Sequence, residues 1–97
     1  MRVIAKVTLK EFWEKHADCE QQLLSWYKIV VKAKYTSFDD MKQEFGTMKV
    51  LGSDRVVFKI KGNKYRLIIK ISFKNQLVFI RFVGTHGEYD RIDAKKI

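Results

Sequence analysis

Three side chains able to exchange protons or hold a substrate stand close together near the C-terminal end of the sequence. His86, Tyr89 and Asp90 are separated by three and by one residue, in the segment Gly84-Thr85-His86-Gly87-Glu88-Tyr89-Asp90. An imidazole, a phenol and a carboxylate at this spacing can supply a general base, a general acid or a group that orients one of them. The spacing alone does not divide the acid and base roles among the three residues.

A long run of cations precedes this segment. From Arg55 to Arg81 the chain has eight Lys or Arg residues and no Asp or Glu. A proton-transfer group beside several cations suits the cleavage of RNA, in which positive charge stabilises the phosphorane while a base takes the proton of the 2′-OH. No metal or other cofactor is required when the neighbouring 2′-OH is the nucleophile.

The basic run is predicted to form three strands, because β-branched and aromatic residues alternate with charged ones. Two turn signals, Gly62-Asn63 and Lys74-Asn75, divide it. A two-residue loop at the first turn places Lys59 opposite Arg66 and Arg55 opposite Lys70. In the same way, the second turn places Arg81 opposite Ile68, Val83 opposite Arg66 and Phe82 opposite Leu67, and it brings His86 out beside Arg66 and Lys61.

This register gathers the charges on one face of the sheet. That face, which we call the basic plate, carries Arg55, Lys59, Lys61, Lys64, Arg66, Lys70 and Arg81. The opposite face is a hydrophobic floor suited to helices, built from Val56, Phe58, Ile60, Leu67, Ile69 and Ile71. Like charges opposite one another cost up to about 1 kcal/mol per pair, so a plate that keeps several of them is expected to have a use for them.

The rest of the chain is expected to supply helices for the floor. Residues 2–6 alternate weakly and could add an edge strand, and residues 86–92 read as a turn that opens a short helical tail. Helices are predicted at residues 9–16 (capping box Thr8 to Glu11), about 18–33 (cap Asp18) and 37–46 (cap Ser37, stop Gly46). The predicted fold is one α+β domain over residues 1–97, with N-terminal helices packed on a small antiparallel β-sheet and a short C-terminal helix.

Composition limits the class of partner and the compartment. The formal charge of +9 and the pI near 9.8 indicate a polyanionic partner, most often nucleic acid. An acidic membrane surface or an acidic protein would be attracted by the same positive charge. Cys19 is the single cysteine, which excludes an internal disulfide and fits a reducing compartment. Without a signal-peptide pattern or a membrane-length apolar run, we expect a soluble cytoplasmic protein.

Two segments carry a resemblance to a known family. VVFKIKGNKYRLIIKI and VFIRFVGTHGEYDRID resemble the HigB toxins of bacterial toxin–antitoxin modules, a branch of the RelE-like superfamily, and the similarity extends through FWEKH over nearly the whole chain. The resemblance implies an endoribonuclease that cleaves messenger RNA, commonly on translating ribosomes. It also implies a HigA-like helix-turn-helix antitoxin as the partner that holds the toxin inactive.

The resemblance also assigns roles to residues. Arg66 is similar to the family's phosphate-binding arginine, and Lys59-Ile60-Lys61 is similar to a paired-lysine run of RelE. The residues expected to act in catalysis are Arg66, His86, Tyr89, Asp90 and Lys61. The residues expected to contact RNA are Arg55, Lys59, Lys64, Lys70 and Arg81.

Each of these residues also has a purely structural explanation. His86 could cap the final helix, Tyr89 could pack against the sheet, and Asp90 could pair with a cation near the start of that helix. Arg66 and Arg81 could be solvated strand residues, as basic residues on an exposed antiparallel face usually are. The alternative function is a non-catalytic RNA-binding module that uses the same plate.

Overall fold

The computed structural model describes residues 1–97 and shows helices packed on one face of a five-stranded sheet. The strand order in the sheet is β1-β5-β4-β3-β2. The strands are β1 (Arg2–Ile4), β2 (Lys49–Val50), β3 (Arg55–Ile60), β4 (Tyr65–Ser72) and β5 (Leu77–Thr85). The helices are α1 (Lys6–Lys15), α2 (Glu20–Lys32), α3 (Phe38–Glu44) and α4 (His86–Tyr89), with a 3-10 turn at Ala17–Cys19. The predicted α+β class, with a short C-terminal helix, is confirmed.

The sheet differs from the prediction at one edge. The edge strand predicted near residue 2 is confirmed, but β1 runs parallel to β5, with Arg2 beside Leu77, so the sheet is mixed rather than wholly antiparallel. Strands joined by a tight hairpin must be antiparallel, whereas β1 and β5 are far apart in the chain and are free to pair in either direction.

The predicted register is correct for the first hairpin and wrong for part of the second. Lys59 lies opposite Arg66, and Arg55 opposite Lys70, as predicted. A β-bulge between Ile68 and Ile69 shifts the pairing of β4 with β5 by one residue. The predicted pairs Arg81 with Ile68, Val83 with Arg66 and Phe82 with Leu67 are therefore replaced by Phe82 with Ile68, Gly84 with Arg66 and Val83 with Leu67.

The bulge has a simple consequence for the two faces. A shift of one residue reverses which side chains point to which face. Phe82 therefore moves from the hydrophobic floor to the basic plate, and Val83 moves to the floor, where it packs against the core. Arg81, at the irregularity itself, is exposed.

The helix starts were predicted less well than the helices themselves. Helix α1 begins at Lys6, its N-cap Ala5 has no side-chain hydrogen bond, and Thr8 lies within the first turn, so the predicted Thr8 capping box is wrong. Asp18 does not cap α2, because its carboxylate binds other groups. At α3 the prediction is confirmed, since the Ser37 hydroxyl accepts a hydrogen bond of 3.2 Å from the Asp40 N–H.

The core lies between the helices and the floor. Leu9 and Trp13 of α1 and Leu23, Trp26 and Val30 of α2 are buried there. They belong to one apolar cluster with the floor residues Val56, Phe58, Ile60, Leu67, Ile69, Ile71 and Val78. Each large apolar side chain removed from water in this way stabilises the fold by about 1.5–3 kcal/mol.

None of the helices has both the length and the apolar character that a membrane span requires.

The basic plate is not an open surface. Arg55 donates hydrogen bonds of 2.9 and 2.6 Å from Nε and Nη2 to the main-chain oxygen of Ile97, so the C-terminal segment lies against this face. Val57 and Ile68, which share the face, are 5% and 0% exposed. The C-terminal segment thus covers part of the plate and leaves a smaller basic region at its hairpin end.

Candidate active site

Arg66 is the central cation of the basic region that remains. It sits in the middle strand of the three, between Lys59 of β3 and Gly84 of β5, and only 8% of its surface is exposed. Its Nη1 donates a hydrogen bond to Oδ1 of Asn63 in the hairpin turn. A buried guanidinium with one neutral amide partner keeps donors available for an anion, because guanidinium carries five N–H groups.

A cavity of about 260 Å³ opens beside this guanidinium. Its lining residues come from the turn after α3 and from β2, β3, β4 and α4: Thr47, Lys49, Val57, Lys59, Arg66 and Tyr89. Three of the six are cations and none is an acid. A phosphate group entering the cavity would meet positive charge on several sides, where partial burial strengthens electrostatic attraction.

Helix α4 brings the proton-transfer candidates to the same end of the sheet. Thr85 and Glu88 form a capping box: the Thr85 hydroxyl accepts from the Glu88 N–H at 3.1 Å, and the Glu88 carboxylate accepts from the Thr85 N–H at 2.9 Å. These contacts hold the pKa of Glu88 below its usual value. The His86 N–H also donates to the Lys64 carbonyl at 3.0 Å, which fixes the start of the helix to the hairpin.

One turn of α4 separates the two ends of a His–Asp contact. Nδ1 of His86 lies 3.1 Å from Oδ2 of Asp90, and both side chains are partly exposed. A carboxylate at Nδ1 orients the imidazole and leaves Nε2 free to take or give a proton. On the same helix Tyr89 faces the sheet, with its ring centroid 5.3 Å from the guanidinium carbon of Arg66.

An unpredicted feature on this face is the packing of Phe82 on Gly84. A Cβ atom added at Gly84 would lie 2.5 Å from Cζ of Phe82 and 3.2 Å from Oε1 of Glu88. The ring therefore occupies space that any side chain at position 84 would need. Since Gly84 is opposite Arg66, the aromatic ring lies beside the cationic region.

A comparison with known proteins identifies the family. A family model described as HigB_toxin, RelE-like toxic component of a toxin-antitoxin system, matches residues 19–92, about three quarters of the chain. The chain belongs to the HigB toxin family. The predicted family resemblance is thereby confirmed.

Individual relatives match over nearly their whole length. The mRNA interferase toxin HigB of Escherichia coli strain K12 is 29% identical over 97 residues, which covers 97% of this chain and 92% of the relative. The mRNA interferase HigB of Shigella flexneri gives the same figures. The mRNA interferase HigB of Escherichia coli O6:H1 is 24% identical over 94 residues, covering 95% of this chain and 91% of the relative.

The structure gathers only some of the residues predicted to form the site of this HigB-family chain. Arg66, Lys59 and Tyr89 line one cavity, and His86 and Asp90 contact each other on the helix that carries Tyr89. Lys61 is exposed in the hairpin turn, where its backbone has a positive φ of 55°.

Four other predicted RNA contacts lie away from this cavity. Arg55 and Arg81 both donate to the main-chain oxygen of Ile97, Arg81 at 3.3 Å. Lys70 is exposed on a separate cavity with Asp54 and Phe79.

Lys64, the fourth of these residues, is held on the helix side of the hairpin. Its Nζ is 2.7 Å from Oδ2 of Asp18, and the Tyr65 hydroxyl donates to Oδ1 of the same carboxylate at 2.7 Å. The hydrogen bonds from Lys64 and Tyr65 lower the pKa of Asp18, and the Asp18 carboxylate in turn raises the pKa of Lys64 and of Tyr65. Lys64 therefore fastens the hairpin to the 3-10 turn before α2.

Sequence reasoning missed Lys49 and Thr47. Lys49 belongs to a strand of two residues and lies opposite Val57, in the stretch between the last predicted N-terminal helix and the basic run. Two residues are too few to show an alternating pattern, so only the pairing with β3 reveals that Lys49 shares the face of Arg66.

Proposed function

We propose that this chain is the toxin of a type II toxin–antitoxin module and acts as an endoribonuclease that cleaves messenger RNA. Three observations support the proposal: membership of the HigB toxin family, relatives named mRNA interferase, and the buried Arg66 in a cavity lined by cations. The strongest support for the proposal is the contact of Arg66 with Tyr89. This contact joins β4, whose Arg66 is proposed to bind the phosphate, to the helix of the His86–Asp90 pair.

The cations hold the scissile phosphate in the proposed reaction. Arg66 donates to its non-bridging oxygens, while Lys59 of β3 and Lys49 of β2 neutralise the negative charge of the phosphate. Lys61, at the hairpin tip, contacts the same linkage or the next one. Fixed donors aimed at the phosphorane stabilise it more than the ground state, because its charge is greater.

Proton transfer falls to helix α4. The 2′ oxygen attacks phosphorus after its proton is removed, the bond from phosphorus to the 5′ oxygen breaks, and the departing oxygen takes a proton. We assign the proton exchange to Nε2 of His86, oriented by Asp90 at Nδ1, and the positioning of the base or of Arg66 to Tyr89. The products are a 2′,3′-cyclic phosphate and a 5′-hydroxyl, with no metal in the reaction.

We place this reaction in the cytoplasm, on translating ribosomes, and assign neutralisation to a HigA-like helix-turn-helix antitoxin. The net charge of +9 suits an environment dominated by ribosomal RNA. The family description, a toxic component of a toxin–antitoxin system, supports the existence of an antitoxin.

The test is expression of the chain without its antitoxin, followed by analysis of the cellular RNA. We expect growth arrest and truncated messages whose new 5′ ends carry a hydroxyl, so that they require phosphorylation before ligation. With purified components and ribosomes crosslinked so that they stay intact, cleavage of ribosome-bound message should continue in EDTA, which removes divalent metal ions. Unimpaired growth with intact messages, together with salt-sensitive RNA binding, would contradict the nuclease proposal and support the alternative of a non-catalytic RNA-binding module.

A further inference from the structure

The edge of strand β3 is only partly paired. Strand β2 covers Val56 and Val57, but the preceding segment turns away, with the Met48 N–H bonded to the Phe45 carbonyl at 3.1 Å. The rest of β3, up to Ile60, has a strand neighbour only on its β4 side. A free strand edge offers a row of N–H and C=O groups to another extended chain.

The direction of these groups follows from the bonds on either side. Arg55 bonds towards the β2 side, since Leu51 N–H donates to its carbonyl at 2.7 Å. The Lys61 N–H also points away from β4 and donates to Oε1 of Gln22 on α2 at 2.6 Å. Alternate residues of a strand share this direction, so the N–H and C=O of Lys59 face the same edge and have no strand to bond.

An apolar groove of about 380 Å³ lies along this edge on the helix side. Trp26 and Ile29 of α2 line it opposite Phe45, Phe58 and Ile60. Ile29 is 36% exposed, and the buried indole Nε1 of Trp26 has no hydrogen-bond partner. Trp26, Phe58 and Ile60 are buried, so Ile29 is the apolar side chain that the groove exposes to water. A groove with an exposed apolar side chain beside an unpaired strand edge suits the binding of an extended peptide.

The free edge separates the groove from the Arg66 cavity. Lys59 and Thr47 line both. Successive side chains of an extended segment point to opposite sides, so a segment paired with Lys59 would place alternate side chains in the apolar groove and the others in the cavity. The cavity, lined by Lys49, Lys59 and Arg66, would accept carboxylates.

We propose that the edge of β3 at Lys59 is a docking site for a short extended segment of the antitoxin, in which apolar and acidic residues alternate. Its apolar side chains fill the groove beside Trp26 and Ile29, and its carboxylates occupy the cavity at Arg66 in place of an RNA phosphate. Binding there blocks the toxin directly. The proposal rests on the function proposed above for the Arg66 cavity and on the antitoxin that the family implies.

The test compares two exposed apolar residues, each replaced by glutamate. Ile29→Glu places a carboxylate in the groove, whereas Val7→Glu makes the same change on α1, where Val7 is 55% exposed and does not line the groove. We expect Ile29→Glu to weaken binding of the purified full-length antitoxin by roughly 30-fold or more, as the loss of a central apolar contact does. Val7→Glu should bind as the wild type does, and growth arrest by Ile29→Glu should resist rescue by co-expressed antitoxin.

Two measurements on the wild-type complex complete the test. Hydrogen exchange of the Lys59 amide should slow at least tenfold when the antitoxin binds, and the affinity should fall as sodium chloride is raised. Unchanged affinity of Ile29→Glu, or unchanged exchange at Lys59, would overturn the proposal, and salt-independent binding would remove its acidic part. Since affinity and exchange are read without RNA, they decide the docking site even if the wild-type chain cleaves no message.

Discussion

The guanidinium carbon of Arg66 lies 5.3 Å from the centroid of the Tyr89 ring. Arg66 belongs to the middle of the sheet, and Tyr89 belongs to the short helix that follows β5. A cation over an aromatic face contributes about 0.5–2 kcal/mol, depending on how far water is excluded. This contact therefore positions α4, with its His86–Asp90 pair, relative to the cavity in which we place the phosphate.

Removal of the Tyr89 ring should impair cleavage more than removal of its hydroxyl. Tyr89→Phe keeps the ring over Arg66, and we expect cleavage to fall by about tenfold or less, because the general acid and base remain. Tyr89→Ala removes the ring, so Arg66 and α4 should lose their alignment and the rate should fall by about 100-fold. Single-turnover cleavage of ribosome-bound message measures both; equal rates for the two variants would show that the ring does not position the site.

His86 should matter for the rate of cleavage and little for folding. His86→Gln removes the group proposed to exchange protons, and a loss of about 10²–10⁴ in the single-turnover rate is expected. The matched control is His16→Gln, since His16 is stacked on Phe12 at 4.4 Å and does not line the cavity. If His16→Gln lowers the rate as much as His86→Gln does, the assignment of His86 is wrong.

Gly84→Ala should damage both stability and activity. The new methyl group would meet the end of the Phe82 ring at 2.5 Å and the Glu88 carboxylate at 3.2 Å, so the ring must move and the capping box of α4 is disturbed. Overpacking of this kind costs about 1–3 kcal/mol. Thermal unfolding and cleavage rates measure the effect, and Gly52→Ala, which meets no atom within 4 Å, should resemble the wild type.

Asp18 should stabilise the fold in a pH-dependent way. Hydrogen bonds from Lys64 and Tyr65 hold its folded-state pKa below the ordinary value of 3.8. The stabilisation is therefore complete above that value and is lost as the pH falls through the lowered pKa. Asp18→Asn should unfold at a lower temperature than the wild type at pH 7, and the difference should shrink below about pH 4.

The control for this experiment is Glu11→Gln, which neutralises an exposed carboxylate on α1. Its melting temperature should follow that of the wild type at every pH. A difference between Asp18→Asn and the wild type that stays constant down to pH 2 would contradict the proposed role of the Asp18 carboxylate.

The fold could be predicted where the sequence carries a repeated local signal. Alternation along 55–72 and the turn at Gly62-Asn63 determine the register of β3 with β4, which is confirmed. The bulge at Ile68 and Ile69 could not be predicted, because both registers place apolar residues on the floor: Phe82 or Val83 can each fill it. The difference between them depends on tertiary packing, including the space that Gly84 leaves for Phe82.

The candidate site could be predicted only where its residues lie close together in the sequence. The spacing of His86 and Asp90 on a helix brings them together, as their contact of 3.1 Å shows. Local sequence patterns do not indicate contacts between residues that are far apart in the chain. The bonds of Arg55 to Ile97 and of Lys64 to Asp18 remove two cations from the plate, and Lys49 joins the cavity through a strand of only two residues.

The most direct test of the proposed site is the cleavage rate of an arginine pair. Arg66→Ala and Arg2→Ala each remove one positive charge, but Arg2 lies in the edge strand on the far side of β5. Single-turnover cleavage of ribosome-bound message should fall by at least about 100-fold for Arg66→Ala and stay within about twofold of the wild type for Arg2→Ala. Arg66→Lys, which keeps the charge of the partly buried site, serves as the second variant if Arg66→Ala unfolds. Cleavage by a folded Arg66→Ala chain at the wild-type rate would contradict the account.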